Sequence, residues 1–210
     1  MELFIPGPAG RLEAVLWLPA DKSAPRAAAV MCHPHPLFSG TMNNNVVFRA
    51  ARGLQNAGLA VLRFNFRGVL NSEGVHDGHG GEGDDLGAAL DWMSERFPGL
   101  ELWAGGFSFG ARTSAERATH DTRIAKVVFV AMPVRKFDCG FLREVRQPGY
   151  VLMAGNDEYG TLAELKQQFP DTARTLELDE VPGVGHFFEN HTQEVTALSQ
   201  RWAEKQLEPR

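Results

Sequence analysis

Short apolar runs alternate with amphipathic segments along most of the chain, and this alternation limits the folds available to it. Several runs are apolar at consecutive positions, which is typical of strands in a parallel sheet that is covered on both faces. Seven runs predict strands: residues 12–19, 27–32, 59–65, 100–106, 126–132, 150–155 and 175–181.

Between these runs, apolar residues recur at helical spacing. Four such stripes lie within residues 47–54, 86–97, 162–169 and 195–202, and Asn190 is the expected N-cap of the last helix. The order strand, helix, strand, helix predicts a doubly wound, mostly parallel α/β sheet with right-handed crossovers. The chain shows no internal repeat, low-complexity tract or linker, so residues 1–210 are expected to form a single domain.

Charge and composition exclude several functional classes. The 210 residues include 21 Lys and Arg against 26 Asp and Glu, a net charge of −5, without a basic cluster. This balance argues against nucleic acid or an anionic membrane as the main partner. No apolar run approaches the ~20 residues that span a bilayer, and the N-terminus lacks the features of a secretory signal. Cys32 and Cys139 show no metal or disulfide spacing, which favours reduced, buried thiols in a cytoplasmic protein.

The sequence GFSFG at residues 106–110 stands between a predicted buried strand and a predicted helix. This strand, turn and helix context is that of a nucleophile elbow, in which Ser108 is held on a tight turn at the carboxyl edge of the sheet. Gly106 and Gly110 are expected because a Cβ at either position would collide with neighbouring backbone. The alternative interpretation is a glycine-rich turn whose serine caps a helix.

A serine nucleophile needs a base, and three histidines follow Ser108 in the chain. His120 comes at the end of the helix that the elbow begins, and His191 falls at the final helix. His186 lies in the glycine-rich loop GVGHFF between the last strand and that helix. A loop at the carboxyl edge can reach the elbow, so His186 is the predicted base.

The base needs a carboxylate partner to orient it. Asp157 follows the predicted strand YVLMAG and stands between the serine and the histidine in chain order, as in α/β hydrolases. Asp157 is therefore the predicted acid, with Glu158 and Asp138 as rivals. An Asx turn after the strand is the structural alternative for Asp157.

The loop CHPHPLFSG supplies the remaining part of the predicted site. An oxyanion needs preorganised N–H donors, one of which is expected from Phe109. Because proline has no N–H, the second donor is His35 or Leu37, and Leu37 is preferred. The histidines of HPH, together with His76 and His79, could also suggest a metal, but no further ligand stands at a matching spacing. We therefore predict neither a metal nor a cofactor.

Several motifs together resemble a known family. HPHPLFSGTMNN, LRFNFRG followed by SEG, DGHGGEGDDLGAALDW, GFSFGA, the Asp157 loop and GVGHFF are similar to those of small bacterial α/β hydrolases of the dienelactone-hydrolase-like group. The resemblance runs from about residue 27 to residue 202. It implies an α/β-hydrolase fold, serine-esterase-like activity and a triad of Ser108, Asp157 and His186.

Two features depart from that family pattern. Leu70 stands where the family usually has glycine, so the shape of its loop is expected to differ. The nucleophile is serine, whereas dienelactone hydrolases proper use cysteine, so their substrate is not carried over.

The sequence thus predicts a serine hydrolase of small carboxylic esters. The alternatives are a thioesterase, acyltransferase or peptidase that uses the same triad, or a non-catalytic binding protein on this scaffold. The connection at residues 133–149 is too short for a separate cap, so an open cleft and a preference for short acyl chains are expected. The apolar rim is predicted from Leu37, Phe38, Phe107, Phe109, Phe187 and Phe188, some of which are expected to be core residues instead. Phe107 follows a buried strand and is expected to face inward.

Overall fold

The structure, a computed structural model, describes residues 1–76 and 80–208. Within these ranges the chain forms eight β-strands and six α-helices. The strands are β1 Glu2–Ile5, β2 Leu12–Trp17, β3 Ala27–Cys32, β4 Leu59–Phe64, β5 Leu102–Phe107, β6 Ile124–Val130, β7 Gly149–Ala154 and β8 Leu176–Val181. The helices are α1 Asn45–Asn56, α2 Gly81–Arg96, α3 Phe109–Ala118, α4 Leu162–Gln168, α5 Thr172–Thr175 and α6 Thr192–Gln206.

All eight strands join one sheet in the order β1-β2-β4-β3-β5-β6-β7-β8. The pairs β1–β2 and β2–β4 are antiparallel, and every other pair is parallel. This arrangement is the α/β-hydrolase fold and confirms the predicted, mostly parallel sheet. The sequence analysis missed β1, whose four residues are too few to show a pattern, and it also missed the single-turn helix α5.

Two apolar layers cover the sheet, and strand β3 shows how one run of residues supplies both. Ala28, Val30 and Cys32 pack on one face with α2 and α3, whereas Ala27, Ala29 and Met31 pack on the other, next to α1. Successive side chains of a strand point to opposite faces, so a strand buried on both sides is apolar at most of its positions. Full burial of a large apolar side chain stabilises the fold by about 1.5–3 kcal/mol.

The connection between β6 and β7 contains a single 3-10 helix, Gly140–Glu144. No cap domain is inserted there or elsewhere in residues 1–76 and 80–208, which confirms the lid-less architecture that the sequence predicts. Among the described helices, none combines the length and apolar character needed to cross a membrane.

The N-cap prediction for the last helix is wrong by one residue. The N-cap of α6 is His191, and Asn190 adopts a left-handed conformation with φ of 62°. The His191 N–H donates to the Phe188 carbonyl, so the loop turns once more before the helix begins. Asparagine tolerates positive φ better than most residues, which explains its place in this turn.

Candidate active site

Strand β5 and helix α3 are joined by Ser108 alone. Its φ of 55° and ψ of −117° lie in a region that costs a non-glycine residue of order 1–3 kcal/mol. A Cβ on Gly106 would stand 2.5 Å from the carbonyl oxygen of Cys32, and one on Gly110 would stand 2.3 Å from the same oxygen. Both glycines are therefore required by close backbone packing, as the sequence predicts for a nucleophile elbow.

The elbow holds Ser108 firmly but leaves its hydroxyl free. The Ser108 N–H donates to the Val130 carbonyl at 2.9 Å, and 8% of the residue is exposed. In the described ranges, Ser108 Oγ makes no hydrogen bond. Catalytic hydrogen bonds are often long in ligand-free sites and tighten when substrate binds.

His186 and Asp157 form a buried pair. Nδ1 of His186 lies 2.8 Å from Oδ2 of Asp157, and the side chains are 3% and 0% exposed. The carboxylate accepts only, so Nδ1 carries the proton and Nε2 is left for another partner. Oδ1 of Asp157 accepts the Tyr159 N–H at 2.7 Å, which fixes the orientation of the carboxylate.

The loops that carry this pair leave neighbouring strands. Asp157 follows β7 and His186 follows β8, and these strands are parallel, so both loops emerge at the same edge of the sheet. Backbone hydrogen bonds join the loops, from Gly155 N–H to the Val181 carbonyl and from Asn156 N–H to the Val184 carbonyl.

Aromatic side chains place His186 beside the elbow. The ring of Phe107, the residue before Ser108, lies 4.8 Å from the His186 ring between centroids. Tyr159 and Phe187 contact the same imidazole at 4.5 and 5.2 Å. These three rings restrict the imidazole to one orientation.

The rivals considered in the sequence analysis have other surroundings. His191 is exposed and its Nδ1 lies 2.7 Å from Glu194, within the first turn of α6. His120 is exposed beyond the end of α3. Glu158 and Asp138 are also exposed, and neither contacts His186 within the described part of the chain.

The two candidate oxyanion donors after β3 differ in their hydrogen bonds. The Leu37 N–H donates to Nδ1 of His35 at 3.2 Å, whereas the His35 N–H has no acceptor within residues 1–76 and 80–208. On the other side of the site, Phe109 is the first residue of α3, so its N–H has no partner within the helix. The geometry therefore favours His35 over Leu37 as the companion of Phe109.

The first histidine of HPHP is structural. His33 is fully buried, with Nδ1 2.6 Å from the Pro34 carbonyl and Nε2 accepting the Phe66 N–H at 3.0 Å. Burial lowers the pKa of His33 to about 4, so the ring is neutral at physiological pH. It ties the loop after β3 to the loop after β4.

A cleft of about 370 Å³ opens beside the elbow. His35, His76, Glu82, Phe109 and Phe137 are among the residues that line it. Of the predicted rim, Leu37, Phe38 and Phe187 are exposed by 72%, 76% and 46%. Phe107 faces inward, as expected. The prediction for Phe188 is wrong, because its side chain is fully buried in the layer that contains α6.

Neither cysteine is an alternative nucleophile, and the described part of the chain holds no metal-ligand cluster. Burial raises the pKa of Cys32 and of Cys139 to about 12, which keeps both thiols protonated and unreactive. No three His, Cys, Asp or Glu side chains among the described residues are grouped as metal ligands. His79, a residue of the metal alternative, lies outside the described residues.

Sequence reasoning missed a second histidine–carboxylate pair, His76 with Glu82, and the contact of Tyr159 with His186. The motif HDGHGGE contains both members of the second pair, but nothing in the spacing indicates that they meet. Tyr159 directly follows the Asp157 turn, and its aromatic character was the only available signal.

Comparisons with known proteins agree with this fold. A serine hydrolase homologue from Coxiella burnetii superposes with a TM-score of 0.87 at 36% identity, covering 96% of each chain. A Xanthomonas campestris protein described as an α/β serine hydrolase without lid gives a TM-score of 0.90 at 31% identity, covering 100% of this chain and 96% of its own. An uncharacterised Rickettsia prowazekii protein is 34% identical over 202 residues, 92% of this chain and 84% of that protein.

These neighbours support hydrolase chemistry and do not test the finer dienelactone-hydrolase-like grouping, which stays a prediction. The family model described as X-Pro dipeptidyl-peptidase (S15 family) matches residues 9–206. Because that match covers nearly the whole chain, including the elbow and both loops of the histidine–aspartate pair, the protein belongs to the peptidase S15 family.

Proposed function

We propose that this protein hydrolyses small carboxylic esters through an acyl-enzyme intermediate, with Ser108, His186 and Asp157 as the catalytic triad. The observation that carries the proposal is the buried His186–Asp157 pair, packed against the residue that precedes an elbow serine. A serine hydroxyl on a strained turn beside an oriented imidazole has the parts of an activated nucleophile.

In the first half of the reaction, Ser108 Oγ attacks the acyl carbonyl and Nε2 of His186 takes its proton. His186 then gives that proton to the leaving alcohol, and the acyl group stays on the serine. In the second half, water replaces the alcohol and the same steps release the acid. Asp157 holds the imidazole in the required tautomer and stabilises its charge after protonation. No cofactor is needed for either step.

The backbone N–H groups of Phe109 and His35 are the proposed oxyanion donors. The Phe109 donor lies at the N-terminus of α3, where the helix dipole also favours negative charge. Removing a single side-chain donor from such a site typically lowers turnover by about 10²–10³-fold. A backbone donor cannot be deleted by substitution. The His35 donor can instead be disturbed through the Ser39–Gly40 turn, which follows it in the same loop. Gly40 is suited to this, because a Cβ there would lie 2.0 Å from the Pro34 carbonyl oxygen.

The substrate is proposed to be a small, soluble acyl ester. Without a cap, the site offers the cleft and the exposed rim of Leu37, Phe38 and Phe187, so little surface is present to enclose a long chain. The net charge of −5 and the two buried thiols also support our proposal of a cytoplasmic protein that acts without nucleic acid or a membrane.

A peptidase is the second candidate, because the matching family is described as an X-Pro dipeptidyl-peptidase. The same triad can cleave an amide when the site also positions a peptide. Thioesterase and acyltransferase chemistry would likewise start from the same acyl-enzyme. The substrate rather than the triad therefore distinguishes these activities.

The test combines an active-site label with a substrate panel. A fluorophosphonate probe should label the wild-type protein and the Ser94→Ala control, whose serine is exposed on α2, but not Ser108→Ala. Turnover of acetate and butyrate esters should follow the same pattern, and X-Pro anilides should react more slowly. Labelling that persists in Ser108→Ala would overturn the triad, and anilides cleaved faster than every ester would establish the peptidase.

A further inference from the structure

A second histidine–carboxylate pair lies near Phe109, the residue that follows the elbow serine. Nδ1 of His76 is 2.5 Å from Oε1 of Glu82, in the first turn of α2. The side chains are 11% and 2% exposed. Burying a carboxylate is costly unless it is paired, and the proposed reaction uses neither group. Buried titratable pairs in a cleft are frequent at functional sites.

This pair adjoins the proposed oxyanion loop. The rings of His76 and His35 are 5.3 Å apart and nearly perpendicular, at 69°. The His35 ring is also 4.8 Å from that of Phe109, the residue after the nucleophile. His35, His76 and Glu82 all line the cleft of about 370 Å³.

Hydrogen bonds to Nδ1 determine what each Nε2 offers. Nδ1 of His35 accepts the Leu37 N–H, so the proton of the neutral ring is on Nε2. Burial and the neighbouring His76 lower the pKa of His35, which favours this neutral form. Nδ1–H of His76 donates to Glu82, and in the tautomer that this bond selects Nε2 carries the lone pair.

Neither Nε2 has a partner within residues 1–76 and 80–208. Both residues line the cleft, so in these tautomers the His35 ring can supply a donor and the neighbouring His76 ring an acceptor to a bound group. A hydroxyl group is complementary to this arrangement, because it accepts one hydrogen bond and donates another. An ether oxygen or a methyl group is not.

The position of the cleft indicates which half of the ester it receives. His186 gives its proton to the leaving oxygen, so the alcohol half must lie on the His186 side. The cleft begins at Phe109 and His35 and is not lined by His186. It therefore suits the acyl half, for which Phe109 and Phe137 provide apolar walls.

We propose that His35 and His76 form a specificity site that recognises a hydroxyl group on the acyl half of the substrate. The inference rests on the proposed ester hydrolysis and narrows its substrate class to hydroxyacyl esters. Glu82 fixes the tautomer and orientation of His76 and is a positioning residue. A purely structural role, in which the pair only ties its loop to α2, would give no preference among acyl groups.

The experiment compares p-nitrophenyl esters in matched pairs. One pair is β-hydroxybutyrate and β-methoxybutyrate, and the other is hydroxyphenylpropanoate and methoxyphenylpropanoate. In the wild-type protein, kcat/KM should be about tenfold higher for the hydroxy member of at least one pair, the size expected for lost hydrogen bonds. The ratio should fall to about one in His76→Phe. His120→Phe, which removes another histidine from the cleft lining, should keep it.

Because each ratio is taken within one protein, a general loss of activity cancels. A wild-type ratio near one in both pairs would overturn the inference without any variant, and so would a preference that persists in folded His76→Phe. Failure of the proposed ester hydrolysis would look different. In that case plain butyrate ester would not be turned over, or its turnover would survive Ser108→Ala.

Discussion

The two histidine–carboxylate pairs adjoin the two residues that flank Ser108, because His186 contacts Phe107 and His76 contacts Phe109, but the two pairs have different surroundings. In both, Nδ1 lies within 2.8 Å of a carboxylate oxygen and the carboxylate is buried. His186 is packed among Tyr159, Phe187 and Phe107, the residue that precedes Ser108. His76 instead contacts His35 and lines an open cleft.

The comparison teaches that a histidine–carboxylate pair does not by itself determine what the histidine does. The carboxylate selects the tautomer and the orientation in either case, and the neighbour of the free nitrogen decides the chemistry. Beside a strained serine hydroxyl, that nitrogen can act as a base. Beside a second imidazole in a cleft, it can act as a hydrogen-bond acceptor for substrate.

The sharpest way to break this comparison is to neutralise each carboxylate in turn. Asp157→Asn should keep the fold and lower kcat by about 10⁴-fold, because the amide favours the wrong tautomer of the catalytic histidine. Glu82→Gln should lower kcat by less than about tenfold, since an amide oxygen can still accept from Nδ1 of His76. Steady-state kinetics on butyrate ester measure both. Equal losses in the two variants would mean that the roles are assigned wrongly.

His33 provides a reference for the two pairs, because it is a buried histidine whose hydrogen-bond partners are backbone groups and not a carboxylate. Its pKa is about 4 in the folded protein and about 6.5 when unfolded, so the unfolded state binds the proton first as the pH falls. The free energy of unfolding should therefore decrease by about 3 kcal/mol between pH 6.5 and 4, with no contribution from His33 above that range.

Urea denaturation across this range provides the measurement, with His33→Gln as the comparison. Glutamine can accept the Phe66 N–H but does not titrate, so the variant should lose less stability than the wild type on acidification. Other groups titrate in both proteins and cancel in the difference. Parallel profiles for the two proteins would contradict the assignment of the low pKa to His33.

The dependence of the hydrolysis rate on acyl chain length tests whether the cleft is open. Butyrate esters should be hydrolysed at least about tenfold faster than palmitate esters, because a cleft of about 370 Å³ cannot enclose the longer chain. No jump in rate is expected when the substrate passes from solution to droplets. Palmitate as the best substrate, or activity found only at an interface, would refute the open-cleft interpretation.

Chelation should have the smallest effect. EDTA is expected to leave ester turnover unchanged, since the proposed steps use only side chains and backbone N–H groups. Marked inhibition that zinc reverses would instead assign His35 and His76 to a metal site and would remove the distinction drawn between the two pairs.

The sequence by itself determined most of the sheet and the position of the elbow serine. Strands β3 to β7 are largely apolar, with Arg63 in β4 and Lys126 in β6 as the charged exceptions, and GFSFG marks the turn that follows β5. These are local signals, because burial of a strand and close packing of a glycine constrain residues adjacent in the chain. Chain order then limited the acid and the base to a few residues, with Asp157 and His186 preferred.

Tertiary structure decided the contacts between distant segments. Nδ1 of His35 accepts the Leu37 N–H, so that amide is occupied, whereas the His35 amide has no acceptor within residues 1–76 and 80–208. The positions of the prolines alone left both amides as candidates. Phe188 is buried although Phe187 beside it is exposed, because the loop reverses between them with a positive φ at Phe188. The pair of His76 and Glu82 forms only in the folded chain, where the His76 ring also contacts Phe109. Hydrogen bonds between loop side chains leave no periodic trace in a sequence, so only the folded chain reveals them.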